Sequence, residues 1–286
     1  MESYNQKIHI LACPDTFNLK DLLSTLSEAV RFSSCKTVPL EPFVSSQLLV
    51  SLLELAKPAY VVNKISEVAL KYSIITSILG NFATRDDNKE YIDLLISRGF
   101  LQSISELISF VHSQEHQELF ENIVLCLGNM VSVSESIRIK IFSTDLMDLI
   151  VLRYRIFEGY SSSAKFMIWL IANTLNSQFH LLDVLQFRLF NQVAEIFFKH
   201  PSEENFIEAL WSMRYLLAKH SNLLERVQCI LKSNFPNIIV KYVKKGMESN
   251  PMPEWMRNAL EGLRFLYTKT GTSYCQAEFV DVLEYY

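Results

Sequence analysis

An all-α repeat array is the fold class this sequence predicts, on three observations. Apolar residues recur at three- and four-residue spacings, as in Ile92, Leu95, Ile96 and then Leu101, Ile104, Leu107, Ile108. Each set is the stripe of a helix burying one face, and the alternation that marks a strand is missing. Glycine and proline are sparse, at seven and eight in 286 residues. No proline falls between Pro58 and Pro201, so proline chemistry breaks no helix in that stretch. The third observation is internal repetition.

Five segments align: Ile75–Ala83 (ITSILGNFA), Ile123–Val131 (IVLCLGNMV), Met167–Leu175 (MIWLIANTL), Ala209–Leu217 (ALWSMRYLL) and Ala259–Tyr267 (ALEGLRFLY). Asn81, Asn129 and Asn173 fall in one column, continued by Tyr215 and Phe265, at spacings of 48, 44, 42 and 50 residues. A period of that length belongs to armadillo or HEAT arrays rather than to tetratricopeptide or ankyrin repeats. Between the columns the chain breaks into a short, a medium and a long helix. One such set is Ser134–Phe142, Leu146–Phe157 and Ala164–Leu175; another is Leu181–Gln186, Leu189–Lys199 and Asn205–Lys219. HEAT units have two helices. Three per unit predict an armadillo-repeat α-solenoid, a right-handed superhelix of three-helix repeats. The expected organisation is one domain over 1–286 with about five to six repeats: a partial one at 20–57, then 59–84, 86–132, 134–177, 180–219 and 221–269. A closing helix is expected at 275–286.

Composition excludes several classes of function. Hydrophobic residues at 49% against 20% charged supply a sizeable core. With 31 acids against 27 bases the net charge is −4, so no global basic field would draw in nucleic acid. The five cysteines, Cys13, Cys35, Cys126, Cys229 and Cys275, are scattered and odd in number. That pattern suits free thiols in a reducing compartment. The amino terminus lacks the basic start and apolar run of a signal peptide. The most apolar window, Phe166–Leu175, is too short to span a bilayer. The expectation is a cytoplasmic or nuclear protein without membrane insertion.

The stretch LGNFATRDDNKEYIDLLISRGFLQSISELISF, Leu79–Phe110, resembles an importin-alpha armadillo repeat: Asn81, Asp86, Asp87 and Gly99 stand where that family places an asparagine, an Asp-rich turn and an inter-helix glycine. Trp169 and Asn173 are similar to its Trp-x-x-x-Asn signature. The resemblance implies third helices lining a concave groove that holds an extended peptide. Residues at i and i+4 share a helix face, so Trp169 and Asn173 would look into such a groove together. An amide offers a donor and an acceptor to a peptide backbone, and an indole face offers a shelf for a cation. The candidate peptide-binding residues are therefore Asn81, Asn129, Trp169, Asn173, Trp211, Tyr215 and Arg214. For the asparagines the alternative is a ladder holding the repeats in register; for Trp169 and Trp211 it is core packing; for Arg214 and Arg264 it is a solvated edge, against contact with an acidic or phosphorylated partner. The column four places before the asparagines reads Ser77, Leu125 and Trp169. Where the family uses acids to hold a lysine stand Arg85, Val133 and Ser177. Basic signal peptides are thus expected to bind poorly.

No catalytic motif or cofactor site emerges. His112-Ser113-Gln114-Glu115-His116 fits the His-x-x-Glu-His pattern of inverted zinc proteases, yet it falls in a polar connection and is expected to be solvated. The basic run Arg226, Lys232, Lys241, Lys244, Lys245 likewise reads as a solvated face. Two functions remain. One is a non-enzymatic, importin-alpha-like adaptor holding a partner protein or extended peptide. The other is a structural subunit of a larger complex, which the high mean hydropathy of +0.14 would suit.

Overall fold

The computed structural model describes residues 24, 73–81, 84, 89–176, 183–218, 222–249 and 253–270. Among them are helices and turns and no strand. Twelve α-helices follow in order among these residues: α1 (73–81), α2 (Lys89–Ser97), α3 (Phe100–Phe110), α4 (Gln117–Val133), α5 (Glu135–Phe142), α6 (Leu146–Tyr154), α7 (Ser161–Leu175), α8 (Asp183–Lys199), α9 (Glu203–Leu217), α10 (Leu223–Lys232), α11 (Phe235–Met247) and α12 (Trp255–Thr270). The expected repeat over 20–57, the turn Arg85–Asn88 and the closing helix 275–286 lie outside the described residues, apart from residue 24.

The described parts of the five aligned segments lie in α1, α4, α7, α9 and α12, the last helix of each repeat. The short-medium-long order holds for α2–α3–α4, for α5–α6–α7 and for α10–α11–α12. It fails once. Where two helices were expected at Leu181–Gln186 and Leu189–Lys199, the described residues Asp183–Lys199 form a single helix, α8. Neither Phe187 nor Arg188 is a breaker, so nothing local ends the helix there.

The chain divides into two compact units between Phe166 and Met167, inside α7. In the first, Gly99 joins α2 to α3 at φ 83°, a left-handed conformation open to glycine at little cost. Phe120 of α4 stacks on Phe157 at 4.8 Å and on Tyr154 at 6.4 Å, which packs α4 against the end of α6. Ser134 caps α5 by accepting from the Ile137 amide at 3.4 Å. Arg138 reaches back to donate to the carbonyls of Val131 and Ser132 at the end of α4. It is held there by Glu135 at 2.7 Å. A cation on those carbonyls satisfies acceptors that a helix end leaves open.

In the second unit Phe206 of α9 is the hub. Tyr242 stacks on it at 4.2 Å and Trp255 meets it edge-on at 5.0 Å. The Trp255 indole N–H donates to Glu203 Oε1 at 2.7 Å, tying the start of α12 to the start of α9. Ser202 caps α9 by accepting from the Asn205 amide at 3.1 Å. Arg226 corrects the expectation of a solvated basic run, since it is 1% exposed. Its guanidinium donates to Gln186 Oε1 at 2.6 Å and lies 5.8 Å from the Phe187 ring. The cause is its position beside Val227 and Ile230 on the apolar face of α10, both fully buried. No described helix is long and apolar enough to cross a membrane.

Candidate protein-binding surface

In the first unit the facing sides of successive third helices are joined by polar side chains. Ser73 of α1 donates to Glu118 Oε1 of α4 at 2.9 Å, and Ser77 donates to Asn122 Oδ1 at 3.0 Å. Asn129 Nδ2 donates to the Gly80 carbonyl at 3.0 Å. That carbonyl is within reach because a Cβ on Gly80 would lie 3.0 Å from the Cys126 Cα: the helices meet where one has no side chain. The same device continues from α4 to α7. Glu121 Oε1 accepts from Ser162 at 2.7 Å and from Ser163 at 2.6 Å, while Gln117 Nε2 donates to Ser162 at 3.3 Å. Each such bond contributes about 0.5–1.5 kcal/mol net. Together they fix the register of neighbouring repeats.

The candidate residues therefore have different surroundings. Asn129 spends one of its two amide N–H groups on α1, the ladder arrangement. Asn81 is half-buried at the end of α1, and its carbonyl accepts from Thr84 N at 3.3 Å and Thr84 Oγ1 at 2.8 Å. Trp169 and Asn173, one turn apart in α7, are both half-buried. The Nδ2 of Asn173 is buried without a hydrogen-bond partner. Ser77, standing where the resemblance would place a tryptophan, is a rung of the ladder. Of the three positions where acids were absent, Val133 is exposed, and Arg85 and Ser177 lie outside the described residues.

Trp211, Arg214 and Tyr215 come together in the second unit. Trp211 stacks on Tyr215 at 5.7 Å with 27° between the rings, and the Arg214 guanidinium lies 5.1 Å over the Trp211 ring. Arg214 also donates to Asn258 Oδ1 of α12 at a long 3.4 Å. Between α9 and α12 opens a groove of about 250 Å³, lined by Trp211, Arg214, Leu217, Trp255, Glu261 and Phe265 among others. The small residues Ala218 and Gly262 are part of its lining. Its volume is below the roughly 300–1,000 Å³ typical of small-molecule sites. It matches one or two side chains of a longer segment. Trp255 and Asn258 were missed in the sequence because they lie outside the repeated column. Phe265 was visible there as the continuation of the asparagine column, and Glu261 stands four residues before it.

The histidine motif departs from expectation. His116 is 4% exposed, in a one-turn 3-10 helix, Gln114–His116, that leads into α4. Its ring meets that of exposed His112 edge-on at 5.0 Å. Burial, and secondarily His112, hold its pKa below the ordinary 6.5, with Glu115 opposing. The histidines do not share a helix, and among the described residues no group of three His, Cys, Asp or Glu is placed to hold a metal ion. Cys126 and Cys229 are free thiols. Burial raises both, Cys229 to about 11, with Lys232 and Arg226 opposing. Such thiols are poor nucleophiles at neutral pH.

No family model matches the chain, and no curated protein matches it. Solved structures do. A designed armadillo repeat protein in complex with the peptide (KR)4 is 18% identical, with a TM-score of 0.68 over 91% of this chain and 98% of that one. Another designed armadillo repeat protein gives 0.71 at 18% identity and the same coverage. An engineered protein gives 0.64 at 15% identity, over 97% of each chain. Helix order, repeat column and these likenesses agree: the fold is an all-α armadillo-repeat solenoid.

Proposed function

We propose that this chain is a non-enzymatic protein-binding scaffold, an adaptor that holds a partner segment against its third helices, with the α9–α12 groove as the anchoring point. The groove is the observation that carries this reading. It sets aromatic walls beside a guanidinium, the side chains that protein interfaces concentrate at their centres. The peptide carried by one of the similar designed proteins supports the same mode of use. The ladder in the first unit commits one of the two amide N–H groups of Asn129 to Gly80 and so fixes the orientation of its side chain. The proposed adaptor therefore differs from an importin-alpha-like carrier of basic signals. Cytosol or nucleus is its proposed compartment.

A photo-crosslinking side chain at Trp211, introduced in cells, tests the proposal. Partner peptides should be captured there, and Gly262→Leu should abolish capture by filling the groove. The first atom that a Cβ there would meet is the end of the flexible Met213 side chain, and the variant's melting temperature, measured beside capture, shows that it is folded. A second reading, a subunit fixed in a complex, is favoured by the exposed Phe110 and Leu152. Capture from Leu152, with none from Trp211, would establish it instead.

A further inference from the structure

The aromatic rungs of the second unit already carry cations of their own. Arg214 lies over Trp211 at 5.1 Å, three residues on in α9. Lys269 lies over Phe265 at 5.6 Å, four residues on in α12. An aromatic face attracts one cation well; a second must displace the first or bear its repulsion. The shelves on which a peptide lysine or arginine would rest are therefore filled from within.

Cations also predominate on the α12 side of the groove. On α12, Arg257, Glu261, Arg264 and Thr268 follow at helical spacing and are all exposed, so they share one side. Glu261, which lines the groove, stands between two arginines on that side. On α12 and the residue before it, the exposed cations at 257, 264 and 269 exceed the exposed acids at 254 and 261 by one, and Arg214 adds a cation from α9, where Glu204 and Glu208 lie one to two turns before Trp211. Arg214 is itself exposed, and among the described residues its guanidinium donates a single, long hydrogen bond, to Asn258. A guanidinium has five N–H donors, so most remain available for a carboxylate.

We propose that the α9–α12 groove takes an extended acidic peptide segment, seating one apolar side chain between Trp211 and Phe265 and setting a carboxylate against Arg214. This rests on the groove reading above and adds the chemistry of the occupant. The apolar anchor gains the burial, and the carboxylates supply register and sign through charge-assisted hydrogen bonds.

Two fluorescein-labelled peptides test it on the full chain by anisotropy: alternating Asp and Glu around one central Phe, and alternating Lys and Arg around the same Phe. The acidic peptide should bind at least about tenfold more tightly at low salt, with the gap closing as salt rises. Arg214→Gln should weaken the acidic peptide by roughly tenfold, and Arg214→Lys should restore part of the loss. Arg214→Glu should reverse the preference, because it removes the resident cation from Trp211. Helix content and melting temperature of each variant establish that it is folded. If the basic peptide binds the wild type as tightly as the acidic one, or if neither binds while Trp211 crosslinks to a partner, the acidic occupant is wrong and the groove stands. If Trp211 captures nothing and neither peptide binds, the groove reading falls, and this inference with it.

Discussion

The side-chain amide of Asn129 donates to the main-chain oxygen of Gly80, 49 residues earlier, at 3.0 Å. The bare Gly80 lets α4 come close enough for the amide to reach that oxygen. Asn129→Ala should therefore lower stability by about 0.5–1.5 kcal/mol. Partner affinity per folded molecule should not change. Thermal unfolding and titration of the same variant check both halves; a weakened affinity with an unchanged melting temperature would contradict the ladder.

Gly80→Val should be worse than loss of the hydrogen bond. Its Cβ would meet the Cys126 Cα, a main-chain atom that cannot swing aside. Overpacking of this kind costs roughly 1–3 kcal/mol. Denaturant unfolding should show the midpoint falling with little change of slope.

His116 gives the fold a pH dependence of known sign. Its folded pKa is lowered below 6.5, so above that value it is neutral in folded and unfolded chains alike and its contribution is fully present. As pH falls from 6.5 toward the folded pKa, the unfolded chain takes up a proton that the folded chain resists, and stability is lost. Melting temperatures between about pH 7.5 and pH 5.5 should fall more steeply for the wild type than for His116→Gln.

Cys126 and Cys229 should differ in reactivity. Burial alone raises the first, whereas the second, raised to about 11, is half-buried and has Lys232 and Arg226 pulling against burial. Site-resolved alkylation near neutral pH should modify Cys229 slowly. Cys126 should react only as the fold opens.

The third helices could be found in the sequence because repetition exposes them: the same short pattern returns at the same place in each unit. Trp211 and Arg214 could be placed on one wall for that reason. Their ring-and-cation pairing follows from three-residue spacing on a helix. Partners such as Ser73 with Glu118, or Ser77 with Asn122, could not be found this way. Each is an ordinary polar residue until two helices are laid side by side. The single helix α8 was missed because the expected order of helix lengths outweighed the absence of any breaker at Phe187–Arg188. Arg226 was missed because five nearby cations read as one solvated face, although Val227 and Ile230 already marked its side of α10 as apolar.

Helix α4 holds rungs on both sides, to α1 through Asn122 and Asn129 and to α7 through Gln117 and Glu121. In an array where each repeat is stabilised by its neighbours, a doubly tethered helix is the last to open. Amide deuterium uptake in the first unit should then be slowest in the middle of α4 and rise toward α2 and α5. Fluctuations would reach the interior only by releasing one neighbour at a time. A partner that clamped α4 would add little order, whereas one that engaged a singly tethered helix would slow exchange throughout its repeat.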